Sequence, residues 1–148
     1  MKKLSDQPDH LLIEQGLTSS QLEEIVNILV EHVNPASIIL FGSFAKKKSR
    51  PDSDMDLAYI PDQQKPDAYE RFRIAALIAD KTGREVDLID FEQASPVLRA
   101  QIIDSGLLLY EPDSLKRQLL FMRSLKEYAM LNEERREIIE SRMREEPL

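Results

Sequence analysis

A glycine–serine pair and three aspartates are the residues of this chain whose types and spacing could do chemistry. Gly42-Ser43 is followed, after ten residues, by Asp54-Met55-Asp56, and Asp87 stands further on in another strand-forming run. A glycine at the end of a strand lets the backbone turn sharply and approach a ligand closely, and the serine hydroxyl with nearby amide N–H groups makes a small anion-binding nest. Two carboxylates one residue apart on a strand project from the same face, about 6–7 Å apart along the backbone, which suits a pair of metal ions. Oxygen-only ligation selects magnesium, with manganese possible, over zinc. A third carboxylate at Asp87 would repel the first two strongly unless divalent cations neutralised them.

Asp90 and Glu85 compete with Asp87 for that third place. Period-two alternation puts Asp90 on the opposite face and Glu85 on the same face, and Asp87 is preferred because it lies mid-strand. A calcium loop starting at Asp52, with Asp54 and Asp56 at its early positions, fails because Leu57 stands where glycine is needed and Gln63 where glutamate is needed. Lys46, Lys47, Lys48 and Arg50 form a local basic patch beside the Gly-Ser turn. Lys46 and Lys47 are the candidates to hold phosphate or to steady a leaving group. His10 and His32 have no companions at ligand or triad spacing, and Tyr59, Tyr69, Tyr110 and Tyr128 read as packing residues.

The elements that must position these groups follow from periodicity and caps. Thr18 and Gln21 have capping-box spacing before an apolar face at Leu22, Ile25, Val26, Leu29 and Val33, so a helix runs to about Asn34-Pro35. Ser37 to Phe41 reads as a buried strand, Phe44 to Asp52 as a short helical turn and loop, and Asp54 to Ile60 as a second strand. Asp67 caps a helix ended by Thr82-Gly83, Glu85 to Phe91 is a third strand, and Ser95-Pro96 opens a helix ending at Gly106. Leu107 to Tyr110 is a short strand, and Leu115 to about Arg144 is a long helix. The expected fold is α+β: a small mixed or antiparallel sheet flanked by helices, in one domain over 1–148, with a core from about 20 to 111 and the long helix from about 115 to 144. That helix carries apolar residues around most of its circumference (Leu119, Leu120, Phe121, Met122, Leu125, Tyr128, Ala129, Met130, Leu131). Most of them are expected to complete the core, with part of the burial coming from another chain.

Composition narrows the classes. The chain has 148 residues, 42% hydrophobic and 32% charged, enough for one core and short for two. No apolar run approaches the length of a membrane span, and MKKLSDQPDH has no apolar stretch to act as a secretory signal. Zero cysteines exclude a disulfide framework and thiolate chemistry, which fits a cytoplasmic protein. A formal charge of −7 argues against general nucleic-acid binding.

Gly42-Ser43 with Asp54-Met55-Asp56, the stretch SDMDLAYI, the later EVDLID and the segment DSGLLLYE resemble the minimal nucleotidyltransferase family, related to DNA polymerase beta and kanamycin nucleotidyltransferase. The resemblance covers roughly Ser20 to Glu111. It implies transfer of AMP from ATP to a hydroxyl, with Gly42 and Ser43 holding the triphosphate, Asp54 and Asp56 holding two magnesium ions and Asp87 completing the site. The family includes antitoxins that silence HEPN-domain toxins by modifying a toxin tyrosine, so a HEPN toxin is the implied partner in a type VII-like toxin–antitoxin pair. An aminoglycoside nucleotidyltransferase and a non-catalytic antitoxin acting by contact are the other readings. One departure is visible: Ala45-Lys46-Lys47 stands where the family usually has Ala-Arg-Gly, which keeps the charge and removes a planar fork for phosphate.

Overall fold

Strands with uninterrupted apolar runs need cover on both faces, and the order of elements supplies it. In the computed structural model, which describes residues 1–3, 17–42 and 54–145, β1 (Ser37–Phe41), β2 (Met55–Ile60), β3 (Val86–Asp90) and β4 (Leu107–Tyr110) form one sheet in the order β3-β2-β1-β4. The β1–β2 and β1–β4 pairs are antiparallel and the β2–β3 pair is parallel, so the sheet is mixed. A parallel pair needs a crossover between its strands. Here it is helix α2 (Ala68–Thr82), preceded by α1 (Ser19–His32) and followed by α3 (Pro96–Ser105) and α4 (Leu115–Glu145).

The helix ends are set by the expected caps. Thr18 Oγ1 accepts from the Gln21 N–H at 3.1 Å while Gln21 Oε1 accepts from the Thr18 N–H at 3.1 Å, closing the capping box of α1. Asp67 accepts from the Glu70 N–H at 2.8 Å to start α2, and Gly83, at φ +68, ends it in the left-handed conformation. Ser95 caps α3, with Pro96 in its first turn. Replacing such a cap by alanine costs about 1 kcal/mol.

Alternation along the strands divides the interior into two cores. Ile38, Leu40, Met55, Leu57, Tyr59 and Leu88 face α1 and α2, where they meet Ile25, Leu29, Ile74 and Ile78. Ile39, Phe41, Ala58 and Ile60 face the other way, against Phe91, Ile102, Leu120 and Phe121. Each fully buried Leu or Ile contributes roughly 1.5–3 kcal/mol relative to an exposed one. The fold is therefore the expected α+β arrangement, with helices on both faces of a mixed sheet and a long helix following β4. No described helix is long and apolar enough to cross a membrane.

Helix α4 departs from expectation. Leu120 and Phe121 are buried, and Phe121 packs on Phe91 with ring centroids 5.4 Å apart. Leu119, Met122, Leu125 and Met130 do not complete the core; they are 48–69% exposed. The reason is geometric: α4 packs chiefly on α3, so one stripe of its circumference finds cover and the rest does not. Tyr69 is likewise no packing residue, being 70% exposed on α2 beside the exposed Phe72.

The start of α4 is tied to the sheet by a buried polar cluster. Arg117 Nε donates to Glu111 Oε2 at 2.6 Å and the Ser37 hydroxyl donates to the same oxygen at 2.8 Å. The Arg117 guanidinium also lies 5.2 Å from the Phe121 ring centroid. One carboxylate thus joins the first residue of β1, the end of β4 and the first turn of α4.

Candidate active site

The candidate groups gather where β1 ends and β2 and β3 begin. Phe41 is the register partner of Asp56 in the antiparallel β1–β2 pair, and Asp56 is the register partner of Asp87 in the parallel β2–β3 pair. Neighbouring strands lie about 4.8 Å apart, and aligned residues project from the same face, so the two carboxylates stand side by side. Asp54 immediately precedes β2, two residues before Asp56, and is exposed. Asp87 is exposed and Asp56 half-buried. Asp56 and Asp87 belong to the sheet face that α3 and α4 cover further along, at Ala58, Ile60 and Ile89, and Asp54 is near enough for its charge to act on Asp56.

Gly42 closes the arrangement. It follows β1 with φ +76, a conformation that glycine adopts freely and side chains rarely do. A Cβ placed on it would meet the Asp56 carboxylate, standing 3.2 Å from Cγ and closer still to Oδ2. The backbone at the turn therefore lies directly against the Asp56 side chain.

Electrostatics agree with the geometry. Burial pushes the Asp56 carboxyl above the ordinary carboxylate range, and the charges of Asp87 and then of Asp54 push it the same way. Among the described residues no three His, Cys, Asp or Glu side chains stand together closely enough to hold a metal ion. The fit to divalent cations rests instead on mutual repulsion among carboxylates that share one open face, the situation that a hard cation relieves.

Asp90 is placed otherwise. It lies on the opposite face, opposite Tyr59 in register, is 4% exposed, and its Oδ1 accepts from the Glu92 N–H at 2.9 Å. Burial raises its carboxyl above the usual range. It is a structural group that opens the 3-10 turn Phe91–Gln93. Glu85 precedes β3 and meets β2 through its backbone, its carbonyl accepting from the Met55 N–H at 2.9 Å. Ser43, Lys46 and Lys47, with the rest of the basic stretch to Arg50 and the helical turn expected from Phe44 to Asp52, lie outside the described residues, as does His10. His32 is exposed at the end of α1.

Sequence reasoning missed the contact between Gly42 and Asp56. The signal for it was the glycine itself, placed where a strand ends beside an acidic strand.

Comparison with known proteins bears on the same elements. The family model for polymerase beta nucleotidyltransferases matches residues 23–115, a span that contains every strand of the sheet. The chain is 29% identical over 126 residues to the protein adenylyltransferase MntA of Shewanella oneidensis, covering 83% of this chain and 89% of that protein. It is similar to a solved toxin–antitoxin structure with AMP-PNP, with a TM-score of 0.73 and 28% identity over 82% of this chain and 98% of the other. It is also similar to a chain from the structure of a tri-AMPylated Shewanella oneidensis HEPN toxin in complex with an MNT antitoxin, at TM-score 0.69 and 26% identity over 84% and 97%. With the glycine turn, the paired aspartates and the sheet that aligns them all inside the matched span, the chain belongs to the polymerase beta nucleotidyltransferase family.

Proposed function

We propose that this protein transfers AMP from ATP to a hydroxyl group on a partner protein, most specifically a tyrosine of a HEPN-domain toxin. It would thereby act in the cytoplasm as the antitoxin of a type VII-like pair. The observation that carries the reading is the side-by-side placement of Asp56 and Asp87 on an open sheet face with the Gly42 turn against Asp56. The names of the relatives support the acceptor: one is a protein adenylyltransferase and another was solved beside a tri-AMPylated HEPN toxin.

In this reading Asp54, Asp56 and Asp87 hold two magnesium ions, and Gly42 and Ser43 cradle the triphosphate. Magnesium supplies charge neutralisation and lowers the pKa of a hydroxyl beside it. The acceptor oxygen attacks the α-phosphorus as the bond from that phosphorus to the β-bridging oxygen breaks, and pyrophosphate leaves. Asp87, exposed at the open face, takes the proton of the acceptor hydroxyl. Lys46 and Lys47 steady the negative charge on the departing pyrophosphate.

Incubation of the protein with ATP labelled at the α-phosphate and magnesium, with the HEPN partner in one reaction and an aminoglycoside in another, tests this. Label on a partner tyrosine is expected with the wild type and not with Asp56→Asn. Neutralisation of the partner without label would instead establish a protein acting by contact, and label on an aminoglycoside would establish an antibiotic-modifying enzyme.

A further inference from the structure

The far half of α4 carries a surface that the other described residues do not cover. From Asn132 to Glu145 the helix extends about 20 Å at 1.5 Å per residue, and nearly every described side chain on it is exposed, Ile138 at 54%. An isolated helix of this length is marginal in water, so a segment with large exposed aliphatics gains from a partner.

One stripe runs the whole length of α4 at alternating steps of four and three: Leu120, Ser124, Glu127, Leu131, Glu134, Ile138, Ser141. In the first half this is the stripe that the body covers. Leu120 and Ser124 are buried, and Glu127 accepts from Arg99 of α3 at 2.9 Å. Leu131 is half-buried, and beyond it Glu134 and Ile138 on the same stripe are exposed while Ser141 is half-buried. There Glu134, Glu137, Ile138, Ser141 and Arg142 line a shallow depression.

The charges on this segment are sorted. Arg136 pairs with Glu133 at 2.5 Å and with Glu140 at 3.9 Å, and all three lie on the opposite side of the helix from Ile138. Glu134 and Arg142, four residues before and after Ile138, are not ion-paired to another described residue. A helix with an acid at i−4 and a base at i+4 about a central aliphatic is complementary to itself when reversed.

We propose that this overhang is an interface between two copies of the chain, paired antiparallel about Ile138. Ile138 of one copy then packs on Ile138 of the other, and Glu134 of each stands level with Arg142 of the other. The second copy continues the cover that the body provides as far as Glu127. The contact lies at the small end of protein interfaces, so the dimer is weak and forms at high micromolar concentration.

Sedimentation equilibrium of the full chain tests the pairing. The wild type is expected to approach twice the monomer mass as concentration rises. Glu134→Arg and Arg142→Glu should each stay monomeric, because each sets like charges opposite one another, and the double exchange should restore the dimer. Circular dichroism checks that all variants keep their helix, and Asp56→Asn should dimerise as the wild type does, which separates this interface from catalysis. A wild type that remains monomeric would overturn the proposal. So would a double variant that fails to recover, or an overhang protected only when a HEPN protein is added.

Discussion

Gly42 lies against Asp56 so closely that a methyl group on it would stand 3.4 Å from the Asp56 Cβ and 3.2 Å from its Cγ. The turn that leaves β1 and the carboxylate that enters from β2 occupy one continuous surface, and neither can change without moving the other.

Gly42→Ala therefore suffers twice. The left-handed backbone conformation costs a side chain about 1–2 kcal/mol, and the new methyl group displaces the Asp56 carboxylate. Urea unfolding should show a loss of that size, while adenylyl transfer should fall by more than about tenfold because a small misplacement of a reacting group is amplified in rate. A variant of wild-type activity would mean that the Gly42 turn does not set the position of Asp56.

Asp56→Asn should separate stability from activity. The folded-state pKa of Asp56 is raised, so the folded chain binds this proton more tightly than the unfolded chain does. Its favourable contribution is full below the unfolded value and is lost as pH rises through the folded value. Asparagine does not ionise, so the variant should match or exceed wild-type stability at pH 7, with the difference shrinking as pH falls toward the ordinary carboxylate range. Transfer should drop by at least about 100-fold. Magnesium should raise the melting temperature of the wild type much more than that of the variant.

Tyr59 offers an independent pH test. Its side chain is fully buried, its hydroxyl makes no hydrogen bond of ordinary geometry, and its pKa is pushed up to about 12, first by burial and then by the charge of Asp90. The raised value means that its contribution is complete below the unfolded pKa of 10 and is lost as pH rises through 12. Absorbance titration should show an ionisation near pH 12 that is missing from Tyr59→Phe. Tyr59→Phe removes a buried hydroxyl whose contact with Arg71 falls short of ordinary hydrogen-bond geometry, and it should change stability by no more than about 1 kcal/mol.

The Glu111 cluster should govern stability without touching chemistry. The side chains of Glu111 and Arg117 are 7% and 12% exposed, so Glu111→Ala strands a buried cation and should cost about 3–5 kcal/mol in urea unfolding. Ser37 starts β1 and Gly42 follows its end, which puts this cluster at the other end of the strand from the candidate site. The folded variant should keep its transfer rate; a parallel loss of rate would show that the two ends are coupled.

Much of this molecule is written locally. The capping box at Thr18 and Gln21, the Ser95-Pro96 start, the Gly83 stop and the apolar run from Ser37 to Phe41 each depend on residues within a turn or two, and each appears where periodicity put it. Alternation along one strand likewise assigns Asp87 and Asp90 to opposite faces, and Asp87 is exposed while Asp90 is buried.

What the amino-acid order could not decide is which strand lies beside which, and in what register. The parallel pairing that aligns Asp56 with Asp87, the contact of Gly42 with Asp56, and the joining of Ser37, Glu111 and Arg117 each bring together residues far apart in the chain, through the way helices cover the two faces of the sheet. Helix α4 marks the same boundary. Its apolar residues could be listed from the sequence, but whether each is covered depends on what packs beside it, and a helix that meets mainly α3 leaves most of its circumference open.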